Sequence, residues 1–201
     1  MFVSFLKVLT HGAGVAVAAA ALSLAPMAAE AATIRFVTEL EPEAQGATGT
    51  GSVVVWFDTT GNTLTIDSQF SGLSGTTTIA HIHCCTAVPE AGTVGVAVTP
   101  GTFPGFPVGV SSGTYAVVLN LDDEATYTAA FRNGPGGGSV AGAEAALLQG
   151  MLDGRAYFNV HSTTFPGGEI RGFLDVPEPG TLLLLGTVLA GAALTLRRRR
   201  N

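Results

Sequence analysis

The chain has 201 residues, of which 47% are apolar and 12% are charged, and its formal net charge is −6. This composition excludes an intrinsically disordered chain, which is poor in apolar residues and rich in charge. The stretch 33–176 holds 13 acidic residues against four arginines and no lysine, a net charge of −9. That charge argues against nucleic acid and anionic lipid as partners of a stretch long enough to bury one hydrophobic core.

The first 31 residues are typical of a secretory signal peptide. Lys7 supplies the positive charge, and an apolar run of small residues lies between Val15 and Leu24. Ala29-Glu30-Ala31 fits the small-x-small cleavage rule, so we predict cleavage by signal peptidase after Ala31. An uncleaved membrane anchor is the alternative, and it is disfavoured because the apolar run is shorter than the ~20 residues that a membrane-spanning helix needs.

Residues 33–174 are a series of short apolar runs separated by glycine, threonine, serine and proline. Several runs alternate apolar and polar residues with a period of two, which is typical of β-strands with one buried face. In Thr63–Phe70, for example, Leu64, Ile66 and Phe70 share one face. Nine strands are predicted: Thr33–Glu41, Gly51–Asp58, Thr63–Phe70, Thr77–His83, Val94–Thr99, Gly113–Leu121, Tyr127–Phe131, Gly154–His161 and Glu169–Leu174.

The histidines of the fourth and eighth predicted strands are the candidate functional residues. His81 and His83 alternate on a strand and therefore project from the same face, and His161 lies on the polar face of its own strand. If the two strands are neighbours, the three imidazoles can converge on Zn or Cu(II), with copper favoured by affinity. The alternative is that these are hydrogen-bonded strand histidines that tie loops down.

Cys84 and Cys85 follow this histidine pair directly. Adjacent Cα atoms lie ~3.8 Å apart, below the usual disulfide range, so a bridge between them would be strained. An exported location favours oxidation. A vicinal disulfide, two free thiols and intermolecular bridging all stay open, and the vicinal disulfide is the favoured interpretation. If the strand continued, Cys85 would share the face of His81 and His83 and could be a soft metal ligand.

One segment, Ala143–Leu152, predicts a helix because Leu147, Leu148, Met151 and Leu152 form an apolar stripe. Many short strands with a single helix predict an all-β fold, an antiparallel Greek-key β-sandwich or barrel with one short helix. The domain organisation is then a signal peptide over 1–31, a β-sandwich domain over 32–175 and a separate C-terminal segment over 176–201.

Three motifs of the central domain resemble the signature of the CHRD (chordin) domain. They are Ala80-His81-Ile82-His83, the strand Gly154–His161, and the hairpin Phe165–Gly172, in which Glu169 and Arg171 can pair across strands. The resemblance covers roughly Thr33 to Leu174. It implies a β-rich extracellular domain that binds a partner and has no established enzymatic activity. Cys84-Cys85 departs from the Gly-Pro that the family leads us to expect after His-x-His.

A fainter similarity is to Cu/Zn superoxide dismutase, which also places a His-x-His strand on a Greek-key barrel. The central domain has no fourth histidine and no zinc loop rich in histidine and aspartate, and its negative charge repels superoxide. The sequence also lacks a phosphate loop. We therefore expect a protein that is not an enzyme. A copper-binding or superoxide-dismutase-like protein that uses His81, His83 and His161 is the alternative.

The C-terminal segment resembles the PEP-CTERM sorting signal of Gram-negative bacteria. Pro177-Glu178-Pro179 is followed by an uncharged run, Thr181–Leu196, and by four arginines and Asn201. Sixteen helical residues reach only about 24 Å, so the predicted transmembrane helix is a marginal span. The positive-inside rule keeps the arginines in the cytoplasm and the domain outside.

The resemblance to the sorting signal implies transient anchoring in the inner membrane and processing by an exosortase-type enzyme. It also implies delivery to the cell surface or extracellular matrix, with a link to exopolysaccharide and biofilm. The expected function is therefore non-enzymatic binding of an extracellular protein or polysaccharide. No cofactor other than copper or zinc is expected, and nucleic acid is not an expected partner.

Overall fold

The computed structural model of the protein describes residues 33–177. The predicted signal peptide with its cleavage site at Ala31 lies outside the described residues. So do Glu178 and Pro179 of the sorting motif, the predicted transmembrane helix 181–196 and the arginine tail. Within 33–177, no helix is both long enough and apolar enough to cross a membrane.

The described part of the chain is built mainly from antiparallel β-strands, which confirms the all-β prediction. Most predicted strands are present to within two residues at either end, because alternating apolar residues mark the strands that bury one face. The eight strands are β1 Thr33–Pro42, β2 Thr50–Asp58, β3 Thr63–Ser71, β4 Thr77–Cys84, β5 Val96–Val98, β6 Gly113–Asn120, β7 Ala156–Ser162 and β8 Ile170–Phe173.

The strands form one curled sheet in the order β5-β4-β7-β8-β1-β2-β3-β6. Strand β1 joins its two halves, because Thr33–Leu40 pairs with β2 while Glu41 and Pro42 pair with β8. We call β1-β2-β3-β6 the first half and β5-β4-β7-β8 the second half. The last strand thus lies beside the first of three sequential strands.

Both halves contribute apolar side chains to a single core, as expected of a β-sandwich. Phe57 and Ile66 lie on the inner face of the first half, and Ile82 and Phe158 on that of the second. Phe103, from the loop before β6, is fully buried and stacks on Phe158 of β7 and on Tyr115 of β6. A loop residue therefore helps to join the two halves.

The structure has more helical segments than the one short helix that was predicted. It also has no strand over Tyr127–Phe131, where a strand was predicted. Among the described residues there are two α-helices, α1 Ala129–Asn133 and α2 Val140–Leu152, and a 3₁₀ helix, Glu124–Thr126. The predicted strand is wrong because Thr128 caps α1, its side chain accepting a hydrogen bond from Phe131 N at 3.2 Å. Helix α2 begins three residues earlier than predicted, after the capping residue Ser139.

Candidate metal centre

The second half of the sheet brings the three candidate histidines together. Strands β4 and β7 are antiparallel neighbours, and His81 pairs with Asn159 while His83 pairs with Tyr157. Alternate residues of a strand share a face, so His161 lies diagonally across from His81 on the same side of the sheet. This is the side away from the core, as the alternation of the sequence predicts.

Although they point away from the core, the histidines are not on the surface. His81 is 4% exposed and His161 is 7% exposed, and every residue of β7 is buried. Loops around β5 and the turn between β7 and β8 cover this outer face of the sheet. The centre is therefore a partly dry site, in which electrostatic interactions are stronger than in water.

Each histidine uses its Nδ1 atom to bond a backbone carbonyl of one of these covering segments. The Nδ1 of His81 bonds Gly101 O at 3.0 Å, and that of His83 bonds Val94 O at 2.7 Å. The Nδ1 of His161 bonds Pro166 O at 2.8 Å. A carbonyl oxygen only accepts, so each Nδ1 carries the hydrogen and each Nε2 of a neutral ring keeps its lone pair.

The remaining ring nitrogens converge on one point. The Nε2 atoms of His81 and His161 are 2.9 Å apart, and one ligand atom from each of the three histidines lies within 4.8 Å of the others. The Nε2 of His83 is buried and has no hydrogen-bond partner. Two neutral imidazoles with their hydrogens on Nδ1 meet lone pair to lone pair at this distance, which is repulsive unless a proton or a metal cation lies between them.

Burial favours the neutral form of His81 and His83. Desolvation is the largest effect on His81 and lowers its pKa to about 4 from an ordinary value of 6.5, while its bond to Gly101 O raises the pKa by less. Desolvation also lowers the pKa of His83. Both rings are thus neutral at pH 7, which is the form that binds a metal ion.

A second layer of side chains supports the histidines. The ring of Tyr157 stacks on His83 with their centroids 4.6 Å apart, and the guanidinium of Arg171 lies 5.1 Å from the centroid of the Tyr157 ring. Arg171 forms a salt bridge of 3.0 Å with Glu43. Glu43 also accepts a hydrogen bond from the amide of Asn159, the residue opposite His81. This layer holds the orientation of the His83 ring.

One sequence-based expectation about this region is wrong. Arg171 pairs with Glu43 and not with Glu169, whose carboxylate instead accepts a hydrogen bond from Ser74 N. Strand β4 ends at Cys84, so Cys85 does not continue along the face of the histidines as a metal ligand. Cys84 and Cys85 are joined to each other by a disulfide.

Strand alternation places Tyr157 and Asn159 on the same face as His161, but no sequence pattern indicates that they support the histidine rings. Glu43 lies in the loop after β1 and reaches the centre only through the pairing of β1 with β8, which the sequence does not show. The carbonyls that bond the three Nδ1 atoms belong to irregular segments, whose course strand periodicity does not determine.

Comparison with known families accounts for nearly the whole chain beyond residue 30. The model of the CHRD domain matches residues 31–174, and the model of the PEP-CTERM protein-sorting motif matches residues 175–200. No curated protein and no solved structure matches the chain. The sorting motif implies export, transient membrane anchoring in a Gram-negative bacterium and processing by an exosortase-type enzyme. Because the CHRD model covers more than half of its length, the chain belongs to the CHRD domain family.

Proposed function

We propose that this protein is a non-enzymatic component of the cell surface or extracellular matrix that binds a transition-metal ion through His81, His83 and His161. The observation that carries the proposal is the convergence of three imidazoles, two of them buried and that of His83 half-buried, whose Nδ1 atoms are already bonded to carbonyls. Hydrogen bonds of this kind fix the orientation and tautomer of metal-binding histidines. The same bonds hold the covering loops in place, so a purely structural role would explain the hydrogen bonds of the Nδ1 atoms. It would not explain why the Nε2 atoms converge.

The donor set selects the metal. Three neutral imidazole nitrogens suit Zn²⁺ and copper, and affinity for a given nitrogen site rises to Cu²⁺ and falls again at Zn²⁺. Zn–N bonds of ~2.0–2.1 Å require any two ligating nitrogens to lie no more than about 4.2 Å apart. The ligand atoms lie within 4.8 Å of one another, so small ring movements suffice. We therefore propose copper as the preferred ion and zinc as the second.

The net charge of the domain favours a metal-binding function over the enzymatic removal of superoxide. Its net charge of −9 attracts cations and repels an anionic substrate. Arg171, which lies near the centre, is engaged by Glu43 and by the carbonyl of Gly92. A superoxide-dismutase-like enzyme remains the alternative function, since three histidines leave a position on the metal open.

Metal competition tests the proposal. The full chain is stripped with chelator and then titrated with Cu(II), Zn(II) and Mg(II), each with and without an equal concentration of the others. We expect Cu(II) to displace Zn(II), and Mg(II) to displace neither, because imidazole is a poor ligand for a hard cation. Failure to retain Cu(II) or Zn(II) would overturn the proposal. Rapid removal of superoxide by the copper-loaded chain, lost in His161→Ala, would favour the dismutase alternative.

A further inference from the structure

The outer face of the first half of the sheet carries an open groove of about 760 Å³. Its centre is a row of four side chains that lie directly opposite one another on β1, β2, β3 and β6: Glu39, Ser52, Gln69 and Thr114. Within the row, the amide of Gln69 donates to the hydroxyl of Ser52 at 3.1 Å. The groove therefore runs across all four strands on one continuous surface.

The lining of this groove is polar but carries no positive charge. Five hydroxyl side chains, one amide and the carboxylates of Glu39 and Glu41 line it, together with Leu40, Phe70 and two glycines. Hydroxyl and amide groups both donate and accept hydrogen bonds, while ionised carboxylates only accept them. Such a lining matches a ligand with many hydroxyl groups, and it disfavours phosphate, sulfate and carboxylate groups.

The same face carries the only tryptophan of the chain. Trp56 lies four residues beyond Ser52 on β2, so the two side chains share a face about 13 Å apart. Trp56 is half-buried, and Arg35, Thr65 and the exposed Val118 lie in its row of the sheet. An aromatic ring on an open strand face offers an apolar platform with a polar edge, on which the C–H face of a sugar ring can stack.

We propose that this face, from Trp56 to the groove at Ser52 and Gln69, binds a neutral polysaccharide. Sugar hydroxyls would bond the polar row, and one sugar ring would stack on Trp56. The charge of the surface decides between classes of polymer, since Glu39, Glu41 and Asp67 lie on it, and Arg35 is the one cation that the described strands place there. An acidic polysaccharide would be repelled there. The inference rests on the proposed location outside the cell but not on the metal centre, which lies on the other half of the sheet.

Sugar binding at Trp56 can be followed by tryptophan fluorescence, because Trp56 is the only tryptophan of the chain. The full chain, in a detergent without a sugar headgroup, is titrated with hexasaccharides of β-1,4-glucan, α-1,4-glucan and β-1,4-mannan, and with an oligo-uronate. We expect at least one neutral hexasaccharide to shift the Trp56 emission and the oligo-uronate to give no shift. The titrations are repeated with excess EDTA, and the affinity for sugar should not change even if the metal centre fails its own test.

Two variants locate the binding site. Ser52→Val/Gln69→Val removes hydrogen-bonding groups but keeps residues that favour strands, so the fold should persist. The loss of two hydrogen-bonding side chains should weaken sugar binding about tenfold or more. Thr78→Val, which removes an exposed hydroxyl from β4, should bind as the wild type does. The proposal is overturned if no neutral hexasaccharide binds, if the oligo-uronate binds more tightly, or if the double variant keeps its affinity.

Discussion

At the scale of single residues, the three imidazoles of the candidate metal centre are oriented by hydrogen bonds that no sequence pattern indicates. Strand alternation alone places His81, His83 and His161 on one face once β4 and β7 are paired. The sequence left that pairing open, since it did not show which strands are neighbours. The burial of the histidines and the tautomer of each ring depend on the loops that pass over them. The residue types of the centre could thus be predicted, but not its geometry.

The stack of Tyr157 on His83 leads to a prediction about affinity. In Tyr157→Leu the aromatic support of the His83 ring is lost, and the affinity for Cu(II) should fall about tenfold or more, as for other groups that orient metal ligands. Tyr157→Phe is the matched control, because it keeps the ring and loses only the hydroxyl near Val94. Calorimetric titration with Cu(II) measures both. Equal affinity in the leucine variant and the wild type would show that the stack does not position His83.

Burial of neutral histidines predicts how the metal-free protein responds to acid. The folded state lowers the pKa of His81 to about 4 and also lowers that of His83, whereas the unfolded chain takes up protons near pH 6.5. The stability that this difference contributes is fully present above pH 6.5 and is lost as the pH falls towards 4. The urea midpoint of the chelator-treated chain should therefore be lower at about pH 5.5 than at about pH 7.5. In His81→Ala/His83→Ala the drop should shrink, and an equal drop in both proteins would contradict this account.

At the scale of secondary-structure elements, the strands were predictable and the helical segment was less so. Strands such as β2 and β3 can be recognised in the sequence because one face packs in the core and the other is polar. The segment Tyr127–Phe131 has the aromatic residues of a strand, yet its second residue Thr128 caps a helix, a local interaction that outweighs strand propensity. Strand and helix propensities predict the structure least well where a single capping hydrogen bond or a close contact determines the local backbone conformation.

Helix α2 contacts the Cys84–Cys85 disulfide at Gly150. Because of this contact, an alanine at position 150 should have the opposite of its usual effect on helix stability. A Cβ atom added at Gly150 would overlap the sulfur atoms of Cys84 and Cys85. Alanine in place of glycine ordinarily favours a helix, but overpacking here should make Gly150→Ala destabilising by about 1–3 kcal/mol. In a Cys84→Ala/Cys85→Ala background the same substitution should be neutral or stabilising. Denaturant unfolding of the four proteins measures the difference, and the same cost in both backgrounds would refute the contact.

At the scale of the whole molecule, the two halves of the curled sheet share a core but differ on their outer faces. The second half is covered by loops and holds the proposed metal centre, while the first half leaves Trp56 and a polar groove open. The family models account for export and sorting, and for the class of the central domain. The outer faces carry the two proposed binding functions.

Copper stoichiometry tests the central claim most directly. The full chain, His81→Ala/His83→Ala and His11→Ala are loaded with Cu(II), freed of excess ion and analysed for metal, with Trp56 emission as the check that each is folded. His11→Ala controls for the fourth histidine of the chain, which lies outside the described residues. We predict about one copper ion per chain in the wild type and in His11→Ala, and close to none in the double variant. Equal copper in all three, or none in the wild type, would contradict a metal centre at these histidines.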